Sequence, residues 1–152
     1  TPFHAPYGND AKDFFWGCLA EKCLNQGVSL MYAYILTDKE TYLTNAYRNM
    51  DYILGRNATG FCYVTGLGTK SPEHPHHRLS ASDDIKAPIP GFLVGGPNPG
   101  QQDKAFYPTA SPDESYVDTE DSYASNEVAI NWNAALVALS SSLDALAVDS
   151  VK

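Results

Sequence analysis

Six of the ten prolines in this 152-residue chain fall between residues 79 and 115, and that stretch dictates most of what the chain can become. Ala87-Pro88-Ile89-Pro90-Gly91-Phe92-Leu93-Val94-Gly95-Gly96-Pro97-Asn98-Pro99-Gly100 leaves little room for a helix or strand, because each proline removes a backbone donor and fixes φ. Phe92, Leu93, Val94 and Phe106-Tyr107 give it apolar anchors, which argues for an ordered loop inside a domain. Long ordered loops of this kind are usually functional.

Regular structure is therefore confined to the two flanks. Residues 1–17 read as a loop leading into a helix. Leu19, Cys23, Leu24, Val28, Met31, Tyr32 and Ile35 then recur at helical spacing from Cys18 to about Ile35. Thr37-Asp38-Lys39-Glu40 has the form of a capping box. Leu43, Ala46, Tyr47, Met50, Ile53 and Leu54 follow as a second amphipathic helix closing on Gly55, and the short connection predicts an antiparallel hairpin. Phe61 to Leu67 reads as a short strand or an extended loop. On the other flank Val128, Trp132, Ala135, Leu136, Leu139 and Leu143 predict a last helix from about Glu127 to Ala147, N-capped by Asn126, with Asp149 to Lys152 as a frayed end.

The segment before that helix concentrates chemistry. Tyr116 to Ser125 is an acidic loop rimmed by tyrosines and carrying Asp118, Glu120 and Asp121, and Glu127 stands where the helical pattern begins. A carboxylate in a first helical turn is ordinarily structural, since the dipole and the free amides favour negative charge there. Here three further carboxylates lie within nine residues of it, and crowding of like charges raises the pKa of at least one member. That is what a general acid needs.

Composition excludes several partners. Eighteen acidic against ten basic residues give a net charge of -8, which disfavours nucleic acid and anionic membrane surfaces. No run of eighteen apolar residues predicts a membrane span. Ten tyrosines and two tryptophans exceed what an ordinary core asks for, and aromatic faces suit the apolar face of a sugar ring. Trp16, followed by Gly17, serves either as such a platform or as packing. Cys18, Cys23 and Cys62 form no zinc spacing; Cys18 and Cys23 fit as small apolar residues on the first helix, and a disulfide from either to Cys62 stays open in an oxidising compartment. Asn57-Ala58-Thr59 is formally a glycosylation sequon. His74, His76 and His77 invite a metal reading. Pro75 interrupts the run, and no i, i+4 pair or later histidine completes a shell.

The spacing carries a resemblance. Tyr116, Asp118, Tyr123, Glu127, Ala129, Asn133 and Ala134 resemble the C-terminal signature of the family 9 glycoside hydrolases, cellulases for the most part. Pro75-His76-His77-Arg78, preceded by Val64-Thr65-Gly66 and Gly68, resembles the family's other signature, and both stand in the family's order. The resemblance implies that Glu127 donates the proton to the glycosidic oxygen, that Asp118 orients and tunes it, and that His76, grouped with these two as catalytic, touches the sugar beside the scissile bond. Arg78, Tyr123 and Trp16 become substrate contacts, and the Gly-Gly-Pro-Asn loop a cleft wall.

The fold implied is all-α, the C-terminal part of an (α/α)6 barrel made of helical hairpins with long cleft-forming loops. All 152 residues would then form one segment of a single catalytic domain. An inverting glycosidase also needs a base on the opposite face of the sugar, which the family carries in an Asp-Ala-Gly-Asp stretch near its N-terminus. This sequence has no such stretch. The resemblance thus implies a β-glucan substrate, a natural partner in the N-terminal part of the same domain, a secreted or periplasmic location, and inactivity of this chain by itself. An exo-acting cellodextrinase or glucosidase of the same family is the nearest alternative. A non-catalytic binding module and a metal-dependent hydrolase built on the histidines are others. No cofactor is required; a structural calcium ion stays open, with nothing in the sequence to indicate one. The chain opens on Thr1-Pro2-Phe3 without a methionine, which suggests a processed product or a fragment.

Overall fold

Three long helices pack against one another, joined by extended loops and short helical turns. In the computed structural model, which describes residues 2–82 and 84–149, a π-helical turn at Leu19–Leu24 runs directly into α1 (Asn25–Thr37), and α2 (Glu40–Ile53) returns beside it. The short helices α3 (Arg78–Ser82) and α4 (Tyr123–Asn126) precede the long α5 (Ile130–Asp149). The all-α architecture implied by the resemblance is the one found. Among the described residues no helix is long and apolar enough to cross a membrane.

The hairpin between α1 and α2 closes differently from the expected capping box. Thr37 is the last residue of α1, its hydroxyl donating to the Ala33 carbonyl at 2.6 Å. Asp38 takes a left-handed conformation and donates its amide to Tyr34. Lys39 then becomes the N-cap of α2 with no side-chain bond. The left-handed reversal at Asp38 ends the first helix in one residue and leaves Thr37 too far back to cap the second.

Leu19, Leu24, Met31, Ala46 and Ile53 are buried as their spacing predicts. Tyr32 and Ile35 are not; they are 65% and 67% exposed. A π turn bonds i to i+5 and carries an extra residue, so the stripe begun at Leu19 leaves phase before it reaches Tyr32. From α5, Trp132, Ala135, Leu139 and Leu143 complete the core, with Val128 and Leu136 partly buried. The helix runs on to Asp149, two residues beyond the expected end; the rest of the expected frayed end lies outside the described residues.

The long loop is anchored, not regular. After α3, which takes its first turn, Leu93 and Val94 are fully buried and Tyr107 nearly so, whereas Phe106 stands 84% exposed and anchors nothing. Isolated bridges pair Val64 with Leu93, Val94 with Val128 and Glu127 with His76, so 61–67 is extended without becoming a strand. Asn133 of α5 holds Leu93 by accepting from its amide at 2.9 Å. Gly96 lies so close to the π turn that a Cβ there would fall 2.3 Å from the Leu19 side chain. The sequon asparagine, Asn57, is buried and donates its amide to the carbonyls of Tyr52 and Phe61. All three cysteines are free and buried, so the disulfide left open by the sequence is not formed. Burial pushes the Cys18 thiol up to about 11.

The N-terminal loop delivers Trp16. Asp13 accepts from the amides of Gly8, Asn9 and Asp10 and pairs with Lys22. Burial works upward on its carboxyl, and the Lys22 and amide bonds outweigh it, holding the group below the usual carboxylate range. Trp16 follows, and Gly17 turns the chain into the π helix with φ +81° and its α-carbon against the Trp132 ring.

Two outcomes follow for a full-length protein carrying this segment. A Cβ on Gly17 would fall 2.6 Å from the buried Trp132 indole at a φ that disfavours side chains, so Gly17→Ala should destabilise by about 1–3 kcal/mol, read in chemical denaturation. Because the Asp13 carboxyl is depressed in the folded state, its contribution is present above the ordinary carboxylate range and lost as pH falls through the depressed value. Asp13→Asn should therefore lower the melting temperature at pH 7, and the gap from wild type should close in acid.

Candidate active site

Asn126, the last residue of α4, ties the site together. Its fully buried side chain donates to the His74 carbonyl at 2.7 Å, to Asp118 Oδ1 at 3.0 Å and to the Thr119 carbonyl at 3.3 Å. Its own Oδ1 accepts from the Tyr116 hydroxyl at 2.6 Å, and its backbone carbonyl accepts from the His76 amide at 2.8 Å. Asp118 is enlisted in the same knot, accepting from the Glu73 amide at 2.8 Å and the His74 amide at 3.0 Å. Two segments far apart in sequence, 73–76 and 116–119, are thereby fixed to the residue immediately before Glu127.

Glu127 lies outside the long helix, not in its first turn as expected, and Asn126 does not N-cap that helix. Ser122 caps the short α4, with its hydroxyl accepting from Ser125; Glu127 then takes extended angles, φ -71° and ψ 149°, and α5 begins at Ile130. Bridges to His76 and Val94 give residues 127 and 128 extended partners, and these outcompete continuation of the helix.

The Glu127 carboxylate is half-buried, and its Oε2 accepts from the Trp16 indole N–H at 3.1 Å. Trp16, expected as a platform or as packing, thus has a third role. Its ring also lies tilted on Tyr123, 5.4 Å between centroids, and the edge of His76 approaches Tyr123 at 6.0 Å. The Tyr123 hydroxyl donates to the Gln102 carbonyl at 2.8 Å. The His76 Nδ1 lies 2.6 Å from the Glu120 carbonyl, and since a carbonyl only accepts, Nδ1 carries the hydrogen. His76, Lys104, Glu120, Asp121 and Tyr123 line a pocket of about 500 Å3. Glu127, Trp16, Tyr123 and His76 are therefore one contiguous group, with Asp118 behind them through Asn126.

Arg78 stands apart. It opens α3 as an exposed residue, and no ion pair or hydrogen bond joins it to this group among the described residues. The histidines diverge: His77 meets Ser80 at 2.9 Å and the Phe92 ring at 4.9 Å, while His76 turns to Glu120. No group of three or more metal-ligating side chains gathers among the described residues. Asn126 and Lys104 are the members that sequence reasoning passed over. Asn126 carried a signal, a polar residue beside a proposed acid; Lys104, in an irregular loop, carried none.

Comparison with known proteins gives a family match over residues 1–140 to a model described as glycosyl hydrolase family 9. The chain is 92% identical over its whole length to the xyloglucan-specific endo-beta-1,4-glucanase of Bacteroides ovatus, of which it covers 26%. It is 40% identical over 124 residues to endoglucanase D of Acetivibrio thermocellus, covering 82% of the chain and 18% of that protein. A solved structure of a Bacteroides ovatus family 9 protein superposes with a TM-score of 0.89 at 86% identity, over 97% of this chain and 25% of that one. The chain thus spans about a quarter of the first of these relatives.

Asp118→Asn is the direct test of the knot. An amide offers one acceptor oxygen where the carboxylate offers two, so either the Glu73 amide on Oδ2 or the His74 amide on Oδ1 would face an NH2 and the other would keep only a neutral acceptor. Exchange of those two backbone amides should accelerate by roughly tenfold or more, the loss of one charge-assisted bond, while amides of α1 keep wild-type protection.

Proposed function

The chain belongs to glycosyl hydrolase family 9, and from that premise we propose that it supplies the general acid and one wall of the cleft of an endo-acting β-1,4-glucanase that inverts the anomeric centre. The substrate proposed is a β-1,4-glucan, with xyloglucan the first to test, for which the Bacteroides ovatus relative is named. The observation that carries the proposal is the grouping of a half-buried carboxylate, Glu127, with two aromatic rings and His76 beside an open pocket. Carboxylates placed for structure alone need no such surround.

In this reading Glu127 protonates the glycosidic oxygen as the bond to the leaving sugar breaks. Tyr123 offers its ring to a sugar face, and His76, whose Nδ1–H is committed to Glu120, presents Nε2 toward hydroxyls. Arg78 adds its guanidinium from the first residue of α3 when substrate is bound. Asp118 acts through position: its oxygens accept from the 73–74 amides and Asn126, so it orients the acid's surroundings. The base that activates water belongs to the remainder of the catalytic domain, of which this chain forms the C-terminal segment. The acid–base chemistry calls for no cofactor. A polymeric substrate places the enzyme outside the cytoplasm, secreted or periplasmic.

Two measurements test this. In the full-length enzyme Glu127→Gln should lower kcat on xyloglucan by about 10²–10⁴-fold, the usual worth of a positioned acid, and spare an aryl cellobioside whose leaving group needs no proton. The 152-residue chain alone should show no hydrolysis of xyloglucan or carboxymethyl cellulose; turnover by the pure chain would place the base within it and overturn the division proposed.

A further inference from the structure

We propose that Trp16 is a positioning residue for the acid: its indole N–H fixes the Glu127 carboxyl and decides which oxygen carries the catalytic proton. This rests on the reading of Glu127 as the general acid. An indole N–H can only donate. The oxygen it reaches, Oε2 at 3.1 Å, must therefore accept in both protonation states. In the protonated acid the carbonyl oxygen is the better acceptor, so the indole favours the form with Oε2 as the carbonyl and the hydrogen on Oε1. Without such a donor the two oxygens are equivalent by rotation about the last side-chain bond, a soft torsion, and the proton is delivered in the right direction only part of the time.

The surroundings hold the indole for this task. Trp16 is 38% exposed, so water is within its reach, yet its N–H goes to a carboxylate 111 residues away in sequence. Its ring is tilted on Tyr123, which is itself tethered to Gln102. Its backbone is set by the Gly17 turn, where the Cys18 amide donates to Phe15 and the Ala20 and Glu21 amides both donate to Gly17. That turn rests on Trp132 of α5, the same helix that follows Glu127. Donor and acceptor are thus referred to one rigid element.

Removing the donor has a directional consequence. A hydrogen bond to the ionised carboxylate is stronger than one to the neutral acid, by an amount worth about half to one pH unit. Its loss should move the basic limb of the kcat/KM profile upward. The titratable groups around Glu127 are His76 across the bridge, Tyr123, Asp118 and His74 beyond Asn126, Glu120, Asp121 and Lys104 in the pocket, and Glu21, which receives Asn131 of α5. All persist in the variants, so a difference from wild type isolates the indole.

The experiment replaces Trp16 in the full-length enzyme by 3-benzothienylalanine, the same shape with sulfur for N–H, and separately makes Trp16→Phe. Each is assayed across pH on xyloglucan and on 2,4-dinitrophenyl β-cellobioside, with Glu127→Gln alongside. The expected result is a roughly tenfold fall in kcat on xyloglucan with KM within twofold, the basic limb raised by about half to one pH unit, and the activated glycoside nearly unaffected. An unmoved limb, an equal loss on both substrates, or a change in KM alone would overturn the inference and return Trp16 to a platform. If Glu127→Gln hydrolyses xyloglucan normally, the acid assignment itself fails. If that variant is dead and benzothienylalanine behaves as wild type, only the role of Trp16 fails.

Discussion

The surroundings of Glu127 depend on one buried amide. The Asn126 side chain is enclosed, and an enclosed amide must find partners or cost about 1–3 kcal/mol for each one missing. It finds them on two chain segments at once, the carbonyls of His74 and Thr119, the Asp118 carboxylate and the Tyr116 hydroxyl. The bond to Asp118 is charge-assisted and therefore among the stronger ones. Asp118 in turn accepts from two backbone amides and from Asn126, and no ion pair to it is formed among the described residues. Its carboxylate holds 73–76 in place through the amides of Glu73 and His74.

The loop that excludes regular structure from a quarter of the chain is fixed by the same economy of contacts. Leu93 and Val94 enter the core, Asn133 holds the Leu93 amide, and Asn98 donates to the Ala124 carbonyl at 2.9 Å. Gly96 rides on Leu19. Beyond these anchors the loop carries Gln102 to Tyr123 and Lys104 to the pocket. Asp103 binds it to α4 by accepting from the Ala124 amide and the Ser122 and Tyr107 hydroxyls. The helices beneath are apolar on more than the face they bury: Tyr32, Ile35 and Leu36 on α1 and Val137 on α5 are well exposed. Apolar residues on two sides suit helices that have neighbours on both, an arrangement consistent with a fragment of an (α/α)6 barrel.

Helical periodicity made the three long helices legible, because apolar residues recurring every 3.6 positions line up on one face of a helix and on no face of a strand. Their ends were less so. The π turn dephases Tyr32 and Ile35, and no residue between Leu19 and Leu24 announces it. Thr37-Asp38-Lys39-Glu40 satisfies a capping pattern that the left-handed Asp38 overrides. Glu127, Asp118, His76 and Tyr123 were visible as residue types in order, and the structure brings them together. Arg78 was equally visible and lies apart. What no local pattern could show is the Trp16 bond to Glu127, since it is made by the tertiary fold across most of the chain.

The start of α5 shows why such details matter to chemistry. Had the helix begun at Asn126, residues 127 and 128 would point about 100° apart and Glu127 would sit among free amides at the positive end of the dipole, which favours the carboxylate over the acid. In the extended segment successive side chains point to opposite sides. Val128 turns toward the core, bridged to Val94, and Glu127 turns the other way. Paired residues of a bridge place their side chains on one face, so the pairing with His76 sets acid and imidazole side by side. Delaying the helix to Ile130 thus moves the carboxyl off the helix end and onto the same face as its neighbours in the pocket. The cost is a stretch of backbone that no helix satisfies. Other segments meet it: the Gly96 amide donates to the Ser125 carbonyl at 2.8 Å, the His76 amide to Asn126 at 2.8 Å, the Gly95 amide to Glu127 at 3.1 Å, and the Asn133 side chain to Ala129 at 2.9 Å. The glycine-rich loop that forbids regular structure in its own stretch is what allows the acid to leave the helix.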